Sequence, residues 1–200
     1  YSTSYQQFRH FNIDQNRGFT DQKSYIMMSK GQYDVSRTHK YRFLIPKTVS
    51  YLRPIVKFIS PAQEFESQEI QITKISFFII NCLLSTSTAF ILFYYLIALR
   101  LDLLSSFIGS IVFITSRLTI INTGIPMVDS AQNLSLILVA FCILKNKLNT
   151  LSFLSPILIL TKETISPILF LPLAKKNFRN SKYIIALLLS FFSFFFVRGI

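Results

Sequence analysis

Apolar and polar positions fall into long blocks along this chain, not into the short alternations of a soluble domain. Residues 1–42 mix Tyr, Gln, Asn and Ser with scattered charges and hold no apolar run of spanning length. Residues 43–60, FLIPKTVSYLRPIVKFIS, are apolar but carry Lys47, Arg53 and Lys57, with Pro46 and Pro54. A Lys or Arg at the centre of a membrane span costs roughly 2.5–3.5 kcal/mol. The segment therefore predicts an interfacial helix whose basic side chains reach toward headgroups. Residues 61–74 contain Glu64, Glu66 and Glu69 and read as an aqueous connection.

Beyond this point the pattern changes. Residues 75–99 carry no charge and are bracketed by Lys74 and Arg100; at 1.5 Å per residue they extend about 37 Å, enough to cross a bilayer with tilt. A second run, 103–125, contains Arg117 and ends at Pro126, which cannot continue a helix. A third, 128–144, returns to Lys145 and Lys147. Two short runs, 148–160 and 164–174, flank the tetrad Thr161-Lys162-Glu163-Thr164. They read either as two short helices meeting within the membrane or as one helix with a buried charged centre. Only the former, a hairpin, puts the basic loops on either side of it on one face. The basic loop Lys175, Lys176, Arg179 and Lys182 precedes the last run, 183–197. No internal repeat, no heptad pattern and no low-complexity linker is visible.

The expected fold is thus all-α, a polytopic transmembrane helix bundle over 75–200 with a polar segment over 1–74. Composition agrees: 51% of residues are hydrophobic and 15% charged, with 21 Phe and no Trp. A soluble fold could not hide that much apolar surface behind so few charges, and disorder is excluded for the same reason. The net charge of +12 raises nucleic acid as a partner, but no basic stripe or binding motif accompanies it. The charge clusters at the ends of apolar runs, where it orients helices in a membrane. The positive-inside rule places Lys145, Lys147 and the 175–182 loop in the cytoplasm, and counting back places residues 1–74 outside. The chain begins at Tyr1 in the middle of polar sequence, so a longer protein with an upstream helix is expected.

Soluble-enzyme signatures are missing: there is no Gly-rich phosphate loop, GxSxG, HExxH or CxxC. Cys82 and Cys142 lie inside apolar runs and read as small packing side chains. Together with His10 and His39 they make no metal site. No cofactor is indicated; a divalent metal is compatible with the chemistry, without a ligand set to hold it. The informative residues are polar ones at or near membrane depth, which are costly there unless they serve a purpose. Thr20-Asp21 predicts a helix start near Gln22, with Tyr25, Met28 and Ser29 on one face. Asp21 is then a helix cap or a general base at the membrane surface, with Asp14 as the competing carboxylate. Asp129, after Pro126, opens a helix where the dipole favours an acid, and Arg117 pairs with an acid or a lipid phosphate, or anchors at the interface. Lys162 either neutralises Glu163 beside it or holds a phosphate as a point charge.

Read in order, DQKSY (21–25), YRFLIP (41–46), IPMVD (125–129) and LTKET (160–164) resemble the polytopic membrane glycosyltransferases of the GT-C superfamily. That group contains protein mannosyltransferases and aminoarabinose transferases, and the similarity is greatest to its uncharacterised bacterial branch. It runs from about Asp14 to Pro172. The resemblance implies an inverting enzyme of the bacterial inner membrane that takes a sugar from a polyprenyl-phosphate donor on the extracytoplasmic face. It implies Asp21 as the catalytic base and Arg42, Lys162 and Arg117 as groups around the lipid phosphate. Asp129 and Glu163, polar at membrane depth, are counted with them as substrate-binding candidates. Two rival readings remain open from the residues alone. One is a transporter or flippase whose path Arg117, Asp129, Lys162 and Glu163 would line; the other is a structural membrane subunit.

Overall fold

A computed structural model of the chain describes residues 2–10, 20–40, 42–59, 67–174 and 181–199, and all regular structure among them is helical. Four helices precede the long apolar runs: α1 (Ser2–His10), α2 (Thr20–Ser29), α3 (Arg37–Lys40) and α4 (Leu44–Ile59). Six more follow: α5 (Gln68–Ala98), α6 (Leu103–Thr115), α7 (Arg117–Gly124), α8 (Asp129–Leu144), α9 (Leu148–Thr161) and α10 (Ser181–Gly199). Helix α5 is long and apolar enough to cross a membrane; α6 and α7 make a second such run, bent by 52°. Helices α8 and α9 are apolar but shorter.

The structure corrects the expected boundaries at three places. Helix α5 begins at Gln68, so the second half of the supposed connection is helical, and Gln71, Ile72, Thr73 and Lys74 are buried. Glu69 lies in the first turn, where the helix dipole favours it. The buried Lys74 ammonium sits 5.0 Å from the centre of the Phe8 ring, a cation–π contact. Glu64, Glu66 and the basic residues Lys175, Lys176 and Arg179 lie outside the described residues. The run 103–125 breaks at Ser116, whose extended backbone (φ −62°, ψ 141°) and hydroxyl cap α7 by accepting the Thr119 N–H at 3.3 Å. A Ser at this point offers the backbone an alternative to continuing the helix. The run 164–174 forms two 3₁₀ segments, Glu163–Ile165 and Ile168–Ala174. Pro167 and Pro172 lack the N–H groups that an α-helix would need there.

Three helices stop by one device, a residue in the left-handed region that lets the next N–H groups fold back on the last turn. Gly31 (φ 83°) ends α2, Arg100 (φ 68°) ends α5 and Asn146 (φ 53°) ends α8. In each, the following N–H reaches a carbonyl five residues back: Gln32 to Met27 at 3.0 Å, Leu101 to Leu96 at 3.2 Å, Lys147 to Cys142 at 2.8 Å. Asp102 then starts α6 at once, accepting the Ser105 N–H at 2.9 Å.

These turns fold α5 and α6 into an antiparallel pair. Helix α8 runs parallel to α5, because Ser85 meets Ser130 near one end while Leu92 and Ala140 line a common groove farther along. Helix α10 packs on α9 and runs parallel to it: the Ser190 hydroxyl donates to Ser155 at 3.0 Å, while Tyr183 clusters with Cys142. The 3₁₀ segments between them return beside α8, so 148–174 is a hairpin. Helices α2 and α4 form a cap on the first turns of α5, and α1 packs on α7. One buried apolar cluster joins cap to bundle through Tyr25, Met28, Val49, Phe77 and Val128. A second joins α8, the hairpin and α10 through Val139, Leu151, Ile159, Leu169 and Tyr183.

Candidate functional site in the seam between cap and bundle

Pro126 is the starting point. It forces Ile125 into extended backbone (φ −119°, ψ 155°) and leaves helix carbonyls without their usual partners. Asn81 on α5 meets this need by donating its side-chain N–H to the Ile125 carbonyl at 3.0 Å. The Ser85 hydroxyl lies 2.9 Å from that of Thr123, and the Ser130 hydroxyl donates to the Asn122 carbonyl at 3.4 Å. The break is thereby held by buried polar groups, and Asp129 is fixed in the first turn of α8.

Asp129 receives the Lys162 ammonium at 2.6 Å, with the two side chains 20% and 15% exposed. Lys162 is the extended residue (φ −162°, ψ 135°) that ends α9. Its partner is therefore a carboxylate 33 residues earlier in the chain. Glu163 opens the next 3₁₀ turn, directly after Lys162 in the chain.

Across the seam, α2 carries Asp21 in its first turn and Tyr25 one turn later. Buried Gln22, Tyr25, Ile26, Met28 and Ser29 share its inner face. The Asp21 carboxylate is 41% exposed and lies 3.3 Å from His39 Nε2. The other ring nitrogen of His39 makes a close hydrogen bond with the Ser36 hydroxyl at the start of α3. The imidazole stands edge-on to the Tyr25 ring, at 90° and 5.4 Å between centres. Arg42 donates to the Tyr25 hydroxyl at 2.9 Å. Burial pushes the Tyr25 hydroxyl up to about 12; the Arg42 hydrogen bond and charge oppose this, while the negative charges of Asp21 and Asp129 add to it. Tyr25 thus feels carboxylates from both sides of the seam.

The seam gathers Asp21, Arg42, Asp129 and Lys162, four of the residues singled out from sequence. Arg117 is elsewhere: it starts α7, exposed, about 10 Å of helix from Gly124. Asp14 lies outside the described residues. Sequence reasoning passed over three members. His39 was weighed only as a metal ligand; its place after Ser36, three residues on, was the available sign of a short capped helix. Tyr25 is placed by the sequence on one face of its helix with Met28 and Ser29, without a role. Asn81 sat unremarked in a charge-free run, where a lone amide is itself a signal. Among the described residues no cluster of three or more His, Cys, Asp or Glu side chains is placed to hold a metal ion. Comparison with protein-family models, with curated proteins and with solved structures yields no match to this chain.

Proposed function

We propose that the chain is a multi-pass helical membrane protein of the bacterial inner membrane, carrying a GT-C-type glycosyl-transfer site in the seam. The observation that supports this reading best is the half-exposed Asp21 carboxylate, held by His39 and set beside the Tyr25–Arg42 pair. In the proposed reaction the acceptor hydroxyl gives its proton to Asp21 while its oxygen bonds to the anomeric carbon of the sugar. The bond from that carbon to the phosphate oxygen breaks, and the polyprenyl phosphate leaves with the electron pair, inverting the configuration. Arg42, bonded to the Tyr25 hydroxyl one helical turn from the base, is assigned to the leaving phosphate. Lys162, already bonded to Asp129, holds the bundle half of the seam in register. The cap then faces the extracytoplasmic side, where the lipid-linked donor is presented.

A positioned base contributes on the order of 100- to 10,000-fold to such a step. In the reconstituted protein supplied with a polyprenyl-phosphate sugar, Asp21→Asn is expected to insert and fold but to lose transfer by that margin. Asp14→Asn retains a measurable fraction. Near-normal transfer by the Asp21→Asn protein removes Asp21 from the reaction. The second reading, a transporter, draws on the polar lining of the broken span, since interrupted helices mark substrate paths in transporters. It requires the unaltered protein to move a lipid-linked or anionic solute across vesicles without forming a glycosidic bond.

A further inference from the structure

Helix α4 has two apolar faces, and the cap uses only one. Ile45, Val49 and Val56 are buried against the cap and α5. On a separate arc, about 110° round the helix, Tyr51, Ile55, Phe58 and Ile59 stand open, Phe58 at 95% and Tyr51 at 70% exposure. At 100° per residue these four fall within an arc of about 100°. The helix carries Lys47, Arg53 and Lys57 and no acid. Arg53 is engaged by Glu69 and by the Ser29 carbonyl at 3.3 Å, whereas Lys47 and Lys57 are exposed, Lys47 lying 5.3 Å from the Tyr51 ring centre. Beside the open stripe lies a cleft of about 320 Å³ lined by Ser50, Arg53, Lys57 and Glu69.

We infer that this outer face of α4 docks on an anionic lipid leaflet, with the apolar stripe among the acyl chains and a lipid phosphate in the Ser50–Lys57 cleft. Charge complementarity selects this occupant. A second copy of the helix would set lysine against lysine, while a leaflet bearing phosphates meets both cations, and amphipathic helices of this kind lie in the interface plane. Enrichment of anionic over zwitterionic lipid is expected at about fivefold per lysine. The inference rests on the membrane reading above, and its test separates the two.

The chain has no Trp, so a single introduced one reports its surroundings without background. Phe58→Trp and, as a control on an exposed position of α5, Phe90→Trp are reconstituted in mixed phosphatidylcholine and phosphatidylglycerol bilayers. Both are expected to be quenched by brominated acyl chains and spared by aqueous iodide. Bromines placed only on phosphatidylglycerol should quench Phe58→Trp at least about twofold more than bromines only on phosphatidylcholine, a bias that Lys47→Gln with Lys57→Gln removes. Iodide quenching of Phe58→Trp with Phe90→Trp still lipid-quenched overturns the docking and leaves the membrane reading standing. Equal quenching by both headgroups overturns the anionic preference. Shielding of Phe58→Trp from both quenchers in a dimer makes the stripe a protein interface instead. If neither Trp meets lipid, both readings fall.

Discussion

Burial holds the Tyr25 proton to about pH 12, against the Arg42 hydrogen bond and with the charges of Asp21 and Asp129 adding to it, where an unfolded tyrosine releases it near pH 10. The folded state therefore holds a proton that the unfolded state has lost, and stability falls as pH rises through this interval. In melting curves taken from neutral to strongly alkaline pH, Tyr25→Phe is expected to be the less stable protein near neutrality, because Arg42 loses its acceptor. The gap should close as pH climbs from about 10 toward 12; a constant gap would show that Tyr25 does not titrate differently on folding. The Asp129–Lys162 pair obeys a different rule. Removing one member leaves the other charged and mostly buried, so Lys162→Met should lower stability by about 1–3 kcal/mol. Adding Asp129→Asn should recover most of the loss in a thermal melt, whereas adding Glu163→Gln should not. Sequence offered Glu163 as the partner because adjacency is all a linear reading sees. The pairing that forms spans 33 residues and carries no periodic signal.

Apolar run length gave helix positions well, since a charge-free stretch has few alternatives to a buried helix, but it hid what the helices do to one another. On α5 the buried Gln71, Lys74, Asn81, Ser85 and Thr88 follow heptad spacing. A search for apolar heptads misses a seam made of amides and hydroxyls. Close backbone approach was equally hidden. A Cβ added at Gly124 would come within 2.4 Å of the Ser4 carbonyl oxygen and 2.7 Å of Gln7 Cβ, both on α1. Gly124→Ala must therefore push α1 away, at a cost of about 1–3 kcal/mol, and amide exchange should quicken in α1 while α5 stays protected. Gly109→Ala is the matched comparison, because its nearest neighbour at 2.8 Å is Leu96 Cδ1, the end of a side chain that can turn aside. Equal effects at the two glycines would refute the close packing of α1 on α7.

At the scale of the molecule, an all-α fold was legible from composition and block length, but the meeting of four distant segments at one seam was not. Asp21, Arg42, Asp129 and Lys162 come together because α5 is long enough to carry a cap above the bundle and because α8 and the hairpin end level with it. Under the membrane reading, Ser67 and Asn146 lie on opposite sides of the bilayer, at the start of α5 and at the far end of α8. With Cys82 and Cys142 replaced, single cysteines at these positions should react with an impermeant reagent from opposite faces of a vesicle; labelling from one face would refute the crossing. The bond from Asn81 to Ile125 also sets a timetable. Its two ends are 44 residues apart, and at about 5–20 residues per second a ribosome needs roughly 2–9 s to make the second after the first. Through that interval the Asn81 amide is without the acceptor it has in the fold. Helix α5 is therefore made before the carbonyl that completes its inner face exists, and any earlier burial of Asn81 in an apolar setting costs the desolvation of that amide until Ile125 arrives.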